Sequence, residues 1–380
     1  MKITKINPSN LEDFYVALGT ESVGAKILAS KSHIHTILIQ DLHTGAANIL
    51  KQDALSIGAD VAVPRGTILF ETPKVDVVLI ATDKHLKTLA KKELSQPFGL
   101  KSVANQLQSF ITGHQPKTKI MGIINANEDS FFEGSRFLGE DAVAKIKQMI
   151  ADGAEIIDIG AVSTRPNSAI VEANEELSRI KPICDAISEH KLYEKVIFSI
   201  DSFTPSVIEY ALQSGFTIIN DITGLANDAV CLVAKKYDSS VVIMHMQGTP
   251  QDMQKNPTYE DVVAEVSEFF EERIAKAKQF GIEKIILDVG IGFGKTLRHN
   301  LLLLQNLEHF KRFGYEILLG ASRKSVIEMV VPNTPTSERL SGTLAIHLDG
   351  IEKGASIIRC HDVKEHFIAI KMQEAIKNIA

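Results

Sequence analysis

From residue 118 onwards the sequence repeats one unit eight times: a short apolar segment typical of a buried parallel strand, then a segment with helical periodicity. The predicted strands span residues 119–125, 155–160, 196–201, 217–221, 241–245, 285–288, 316–322 and 356–361. The helical patterns between them include residues 141–151, 172–188, 259–280 and 337–352. Eight strand–helix units over close to the ~250 residues usual for the fold predict an α/β protein with a (β/α)8 TIM barrel.

Residues 1–112 do not follow this repeat and predict a separate, small α/β domain. Apolar runs at residues 35–40 and 75–82 alternate there with helical stretches at residues 46–59 and 84–94. This domain contains no paired carboxylates, glycine cradle or metal-ligand spacing, so its role is not predicted. Residues 112–119 are rich in turn and polar residues and predict a linker, which gives domains of residues 1–112 and 118–380.

Composition and charge exclude several classes of protein. A net charge of −6 argues against a nucleic-acid partner, and no apolar run is long enough to span a membrane. The N-terminal sequence has no apolar signal segment, so we expect a cytoplasmic protein. Cys184, Cys231 and Cys360 are odd in number and far apart, which favours buried free thiols over disulfides or a zinc site.

Polar side chains lie at the carboxyl end of every predicted strand. In chain order they are Asn125, Asp158, Asp201, Asn220, Asp221, His245, Asp288, Ser322, Arg323, Lys324, Arg359 and His361. In a barrel these positions converge on the face where active sites of this fold are built. Asp and Asn also cap helices that follow strands, but capping does not explain Arg359 and His361. The pattern therefore predicts a ligand site, with Asp158 and His245 in core or supporting positions.

The segment 284–295 combines one of these strands with a glycine-rich turn. Asp288 ends the strand, and the glycines that follow it allow backbone to approach a ligand closely. The phosphate-binding pattern GxxxxGK[ST] fails here because Val289 stands where its first glycine is required. The GxGxxG spacing of dinucleotide-binding folds is also absent.

The residues of this rim fall into two chemical groups. One group offers acceptors and an amide donor suited to a flat heterocycle with N–H groups: Asp201, Asn220 and Asp288. The other group suits an anion with its metal ion: Arg359, His361, Lys324 and the amide oxygen of Asn125. Mg2+ in phosphate sites takes few protein ligands, so one asparagine is sufficient. A heterocycle joined to a pyrophosphate matches both groups.

Two rim segments, residues 126–137 and 161–172, are unusually long and polar and predict lids over the site. Thr164 and Arg165 lie in the second lid directly beyond a strand end. The segments MGIINANEDSFFEG, EIIDIGAVSTRP, SIDS, NDITG, MHMQGTP, ILDVGIGFGKT, SRKS and RCHDV occur in this order from residue 121 to residue 363. Together they resemble the motifs of the dihydropteroate synthase family of the folate pathway.

The resemblance implies condensation of 6-hydroxymethyl-7,8-dihydropterin pyrophosphate with 4-aminobenzoate, which gives 7,8-dihydropteroate and pyrophosphate. Matching positions imply pterin binding by Asp201, Asn220, Asp288 and Lys324, pyrophosphate binding by Arg359 and His361 with Thr164, and a Mg2+ ligand in Asn125. They imply an aminobenzoate site formed by Arg165, Pro166, Phe293 and Ser325. The implied catalytic residues are Asp201, Asp288, Lys324, Arg359, His361 and Arg165. A homodimer and sensitivity to sulfonamides are also implied.

The chain departs from the family pattern in both predicted lids. Asn127 and Glu128 replace a Thr-Pro pair, while Val162 and Asn167 replace a Glu and a Gly. These changes affect the expected rate and inhibitor response more than the reaction class. A pterin-dependent methyltransferase is an alternative, although such barrels need neither the lysine of SRKS nor the Arg-x-His pair. A non-catalytic pterin-binding paralogue is a second alternative, suggested by the altered lids.

Overall fold

The computed structural model describes residues 10–111, 117–126, 135–162 and 171–377, together with residues 1–4, 6 and 8. The chain divides into two compact units near residue 114. Residues 112–116 of the predicted linker lie outside the described residues. In the described part of the chain, no helix is long and apolar enough to cross a bilayer.

The N-terminal unit is a three-stranded antiparallel sheet packed against helices. Its strands are β1 (Ile34–His43), β2 (Asp60–Ala62) and β3 (Lys74–Thr82), in the order β1-β3-β2. Its helices are α1 (Leu11–Ala17), α2 (Ser22–Ala29), α3 (Thr44–Ile57), α4 (Asp83–Glu93) and α5 (Leu100–Ser109). Alternate residues of β3, such as Val77 and Leu79, point into one apolar core with Leu50 and Leu86 from the helices. The predicted small domain of strands and helices is confirmed.

The second unit is a closed barrel of eight parallel strands. They are β4 (Lys119–Asn125), β5 (Ile156–Gly160), β6 (Ile197–Asp201), β7 (Ile218–Asp221), β8 (Ser240–Met244), β9 (Ile285–Asp288), β10 (Glu316–Leu319) and β11 (Ala355–Cys360). Each strand pairs with the next in the chain, and β11 pairs with β4 to close the barrel. The predicted TIM barrel is confirmed.

Helices follow the strands around the outside of the barrel. They are α6 (Ser135–Ala151), α7 (Ala173–Glu189), α8 (Pro205–Gln213), α9 (Asp228–Lys236), α10 (Val262–Gln279), α11 (Leu297–Gln305), α12 (Ser325–Val330), α13 (Leu340–Glu352) and α14 (Val363–Lys377). The largest difference from the predicted strands is in β10, which ends at Leu319 and not at residue 322. The chain turns after Leu319, and Arg323 adopts a left-handed conformation with φ of 56° that a strand does not allow.

Apolar side chains occupy the inside of the barrel. One buried cluster draws a residue from each strand except β6: Met121, Ile156, Ile218, Val242, Ile286, Leu318 and Ile357. Each such side chain contributes about 1.5 to 3 kcal/mol when it is removed from water. Because this layer closes the centre, a ligand must bind above it, at the ends of the strands.

Candidate active site

An arginine joins three strand ends at the carboxyl face of the barrel. Arg359 on β11 donates from Nε to Asp158 Oδ2 at 2.6 Å and from one terminal nitrogen to Asp201 Oδ2 at 2.6 Å. Asn220 on β7 donates its side-chain amide to the same Oδ2 of Asp158 at 3.1 Å. Residues far apart in the sequence therefore meet at one place, as the predicted convergence requires.

This cluster is largely withdrawn from water. The side chain of Asp158 is fully buried, and those of Asp201 and Arg359 are 13% and 20% exposed. Burial opposes the charge of Arg359, but Asp158 and Asp201 outweigh it and raise the pKa of the guanidinium above its usual range. Burial raises the pKa of Asp201 to about 7, although Arg359 favours the ionised form. A ligand that adds or removes a partner can therefore change the proton occupancy of Asp201.

Asp288 is held at the start of the glycine-rich turn. The backbone N–H of Gly290 donates to Asp288 Oδ1 at 2.7 Å, and burial raises the pKa of this carboxyl. Gly290 has φ of 68°, and a Cβ on it would lie 1.9 Å from the carbonyl oxygen of His245. Only glycine fits at that position, so the turn can follow the strand closely.

Lys324 approaches the same turn from the end of β10. Its ammonium group donates to the carbonyl of Ile291 and lies 4.5 Å from the centre of the Phe293 ring. Burial lowers the pKa of Lys324 to about 8, with Asp288 acting in the opposite direction. The predicted pterin lysine thus lies beside Phe293, which was predicted to form the aminobenzoate site.

His361 directly follows β11 and contacts Ser322. Its Nδ1 is 2.9 Å from Ser322 Oγ, and its backbone N–H donates to the same oxygen at 3.2 Å. Desolvation of its ring, together with the positive charge of Arg359, lowers the pKa of His361 to about 4, although the residue as a whole is exposed. His361 is therefore neutral near pH 7 and can serve an anion only as a hydrogen-bond donor. The charge on this side of the rim comes from Arg359 and Lys324.

Lys295 was missed as a site residue by the sequence reasoning. It is 1% exposed, and its ammonium group lies 2.9 Å from His245 Nδ1. It also donates to the carbonyls of His245, Gly290 and Phe293 at 3.2, 3.0 and 2.9 Å. Burial lowers the pKa of Lys295 to about 7 and that of His245 to about 2. This lysine therefore holds the glycine-rich turn in place through its carbonyl groups. The sequence feature that could have identified it is its position at the end of that turn.

The remaining predicted residues have different outcomes. Asn125 is partly buried at the end of β4, opposite Gly160, and Ser325 is exposed at the first position of α12. Asp221 accepts from the backbone N–H groups of Thr223 and Leu225, so it is a turn residue and does not face the site. Thr164, Arg165, Pro166, Asn127, Glu128 and Asn167 lie outside the described residues.

Comparison with known proteins identifies the family. Residues 121–361 match a family model described as pterin binding enzyme. The chain is 39% identical over 378 residues to a bifunctional dihydropteroate synthase/dihydropteroate reductase of Helicobacter pylori, covering 99% of each chain. It is 44% identical over 259 residues to a dihydropteroate synthase of Escherichia coli K12, covering 67% of this chain and 90% of that one. A Yersinia pestis dihydropteroate synthase crystallised with a sulfonamide drug has a TM-score of 0.65 and 36% identity, covering 69% of this chain and 95% of that one.

These matches agree with the geometry of the barrel. The family model begins within β4 and ends directly after β11, so it spans all eight strands and every rim residue described above. The H. pylori relative also aligns with the N-terminal unit, which lies before the matched family region. The predicted resemblance is confirmed, and the relatives are transferases. The chain belongs to the dihydropteroate synthase family of pterin binding enzymes.

Proposed function

We propose that this chain condenses 6-hydroxymethyl-7,8-dihydropterin pyrophosphate with 4-aminobenzoate to give 7,8-dihydropteroate and pyrophosphate. The observation that carries this proposal is the contact of Arg359 with Asp158 and Asp201. The charges of Arg359 and Lys324 also act on both Asp201 and Asp288, so these four side chains form one charged cluster. A cation suited to a diphosphate thus lies next to carboxylates suited to a ring with N–H groups. One substrate that carries both features can engage both sets of side chains.

The pterin ring is proposed to lie against the acidic part of the rim. Asp201 and Asp288 accept hydrogen bonds from ring N–H groups, and Asn220 can both donate and accept. Hydrogen bonds to charged carboxylates contribute about 1.5 to 3 kcal/mol each. Lys324 supplies a donor for a ring carbonyl or nitrogen from the opposite side.

The pyrophosphate is proposed to bind Arg359, His361 and the lid residue Thr164. No group of three or more His, Cys, Asp or Glu side chains that could hold a metal ion occurs in the described residues. A Mg2+ ion is nevertheless compatible with the rim, because in phosphate sites most of its ligands come from phosphate and water. Asn125 would supply the protein ligand. When bound, the ion would neutralise charge on the leaving pyrophosphate.

The reaction requires little proton transfer from the protein. The arylamine of 4-aminobenzoate is neutral near pH 7, so its nitrogen can attack the exocyclic methylene carbon without a strong base. The carbon–oxygen bond breaks as pyrophosphate leaves, and the amine loses its proton to solvent. Arg359 and His361 stabilise the departing oxygen, while Asp201 and Asp288 stabilise positive charge on the pterin. Phe293, Ser325, Arg165 and Pro166 are proposed to position the aminobenzoate.

Pyrophosphate release with both substrates tests this assignment. We expect Asp201→Asn and Arg359→Ala each to lower kcat/KM by about 100- to 1000-fold, since each removes charge that acts in the transition state. Turnover near that of the unmodified chain in either variant would contradict the assigned roles. Pterin binding without turnover in the unmodified chain would favour a non-catalytic paralogue. Methyl transfer from a methylated folate to a corrinoid would favour the methyltransferase.

A second candidate activity is reduction of the dihydropteroate product. The specific observation is the match over 99% of both chains to a relative named as a bifunctional synthase and reductase. Incubation of the whole chain with dihydropteroate and a reduced nicotinamide or a reduced flavin would test it. We expect dihydropteroate to be consumed as the donor is oxidised, in equal amounts. Donor oxidation that does not depend on dihydropteroate would contradict this activity.

We also propose a cytoplasmic location, a homodimer and inhibition by sulfonamides. The location is supported by Cys184, Cys231 and Cys360, which are buried free thiols and suit a reducing compartment. Inhibition is supported by the relative that was crystallised with a sulfonamide drug. Light scattering measures the mass in solution, and competition of a sulfonamide with 4-aminobenzoate in the pyrophosphate assay tests the inhibition.

A further inference from the structure

Two buried histidines lie beneath the rim and take no part in the reaction proposed above. His347 on α13 and His366 on α14 are each 1% exposed. The planes of their rings are inclined at 51° to each other, and His347 Nδ1 lies 2.8 Å from His366 Nε2. Two buried imidazoles in direct contact are costly unless every ring nitrogen is satisfied, so their outer contacts are informative.

The outer contacts fix the proton on each ring. The backbone N–H of Ala321 donates to His347 Nε2 at 3.1 Å, so the proton of neutral His347 is on Nδ1. That proton is donated to His366 Nε2, which leaves the proton of His366 on Nδ1. His366 Nδ1 lies 2.6 Å from the carbonyl oxygen of Asp362 and donates to it. Three hydrogen bonds therefore run in one direction from Ala321 to Asp362, and both histidines are neutral.

The electrostatic surroundings agree with this arrangement. Burial lowers the pKa of His347 well below its usual range, and His366 and Lys324 lower it further. Burial also lowers the pKa of His366, against the carboxylates of Asp362 and Glu365. A second proton on either ring would place two N–H groups face to face and break one link of the relay.

The two ends of the relay lie in the two turns that carry Lys324 and His361. Ala321 is in the turn from β10 to Lys324, and Asp362 directly follows His361. The same turns are also joined by Ser322 with His361 and by Arg323, whose guanidinium makes two bonds of 2.9 and 2.7 Å to the carboxylate of Asp362. The chain of hydrogen bonds through His347 and His366, called the histidine relay below, is the part of this connection that is buried and does not contact the site residues.

We propose that His347 and His366 are a positioning pair that sets the spacing between the Lys324 turn and the His361 turn. This proposal rests on the proposed function, in which Lys324 contacts the pterin ring and His361 contacts the pyrophosphate. A ligand that spans both turns depends on their spacing, because a small misplacement weakens one end while the other is bound. A ligand that engages one turn alone does not depend on it.

The test compares the affinities of three ligands by calorimetry. The ligand that spans both turns is 6-hydroxymethyl-7,8-dihydropterin pyrophosphate, and its two fragments are 6-hydroxymethyl-7,8-dihydropterin and pyrophosphate. His347→Phe and His366→Phe each keep a ring of similar size but remove its nitrogens, so each breaks the hydrogen bond between the two side chains. We expect each variant to raise the Kd of the spanning ligand about tenfold and that of either fragment less than about twofold. The double variant should equal either single one, since all three cut the same link.

His309→Phe is the matched control. His309 is a partly buried histidine that contacts Ser267 and lies outside the relay, and its replacement should leave all three affinities unchanged. Equal weakening of all three ligands in the relay variants, or loss of thermal stability with unchanged Kd, would overturn the positioning pair. If the unmodified chain fails to bind the spanning ligand, the proposed function fails. If it binds and the relay variants match it, only the pair fails.

Discussion

The barrel and the N-terminal sheet both place polar residues at strand ends, but only the barrel gathers them. In the barrel all eight strands are parallel, so Arg359 meets Asp158 and Asp201 across the rim. In the N-terminal sheet β1 and β3 are antiparallel: His43 at the end of β1 lies opposite Lys74 at the start of β3. Strand direction, and not the type of polar residue, turns strand-end side chains into one site.

The two units also treat buried carboxylates differently. Asp288 in the barrel accepts a hydrogen bond from the backbone N–H of Gly290, and Lys324 is the cation that most strongly favours its ionised form. Glu93 on α4 is fully buried, and neither of its oxygens has a hydrogen-bond partner within the described structure. Burial, together with the neighbouring Asp53, raises the pKa of Glu93 to about 7. Burial favours the neutral acid at both positions, but Lys324 opposes it at Asp288, whereas Asp53 adds to it at Glu93.

The same isosteric change in the two units should have opposite consequences for catalysis. We expect Asp288→Asn to lower kcat/KM for pyrophosphate release by about 100- to 1000-fold, because it removes charge facing the reacting ring. Glu93→Gln should leave kcat/KM within about twofold, because none of the site residues described above belongs to the N-terminal unit. Similar losses in both variants would show that the contrast between the units is wrong.

Lys295 provides the next largest expected effect, on stability. Lys295→Met would leave His245 Nδ1 and three backbone carbonyls without their donor, so the free energy of unfolding should fall by about 3 kcal/mol. The KM for 4-aminobenzoate should also rise, because the turn that bears Phe293 loses its anchor. Urea denaturation and steady-state kinetics measure the two effects.

Lys284→Met is the control for that lysine. Lys284 is 55% exposed and forms an ion pair of 2.7 Å with Asp238, so its replacement should cost less than about 1 kcal/mol. An equal cost in the two variants would mean that the contacts of Lys295 contribute nothing beyond those of a surface lysine.

The barrel and its rim could be predicted because both depend on periodic features of the sequence. Apolar strands alternate with helices, and the polar residue that ends each strand has a fixed direction once the strands are parallel. Asp201, Asp288 and Arg359 were found in this way. The extension of the predicted strand from Leu319 to residue 322 was wrong, because the pairing of β10 with β9 and β11 ends by Leu319 and the chain then turns.

The charge states and supporting contacts could not be predicted, because they depend on burial and on backbone positions. Lysine is rarely buried, and the carbonyl acceptors that permit it at Lys295 have no signature in the sequence. The neutral state of His361 follows from desolvation of its ring and from the positive charge of Arg359. The relay from His347 to His366 joins two helices through backbone groups of distant turns, so neither residue stands out by its spacing.

The pKa of Glu93 predicts a pH dependence of the stability of the N-terminal unit. Its folded value of about 7 exceeds the ordinary value of 4.5, so the unfolded chain loses the proton first as pH rises. The stability of this unit should therefore fall between about pH 4.5 and pH 7 and level off above that. Amide hydrogen exchange of α3 and α4 at several pH values, corrected for the pH dependence of the intrinsic exchange rate, measures this change in stability. Exchange of α10 in the barrel serves as the reference.

Glu93→Gln should remove this dependence and increase the protection of α4 at pH 8 by about tenfold. Asp53→Asn should reduce the dependence without abolishing it, because burial is the larger cause and the repulsion from Asp53 the smaller. A pH dependence of α4 that survives Glu93→Gln unchanged would assign it to another group.

The smallest expected effect comes from the ion pair of His35 with Asp83 at the start of α4. The two side chains are 15% and 31% exposed and approach to 2.5 Å, and the hydrogen bond from His35 lowers the pKa of Asp83. The resulting stability is present above the ordinary pKa of an aspartate and is lost as pH falls through the lower pKa of folded Asp83. Asp83→Asn should lower the protection of α4 by less than about 1 kcal/mol at pH 7 and by a smaller amount at pH 3. A loss of equal size at the two pH values would mean that Asp83 stabilises α4 only as its first residue and not through its charge. This strand end would then carry no electrostatic pair comparable to those of the barrel.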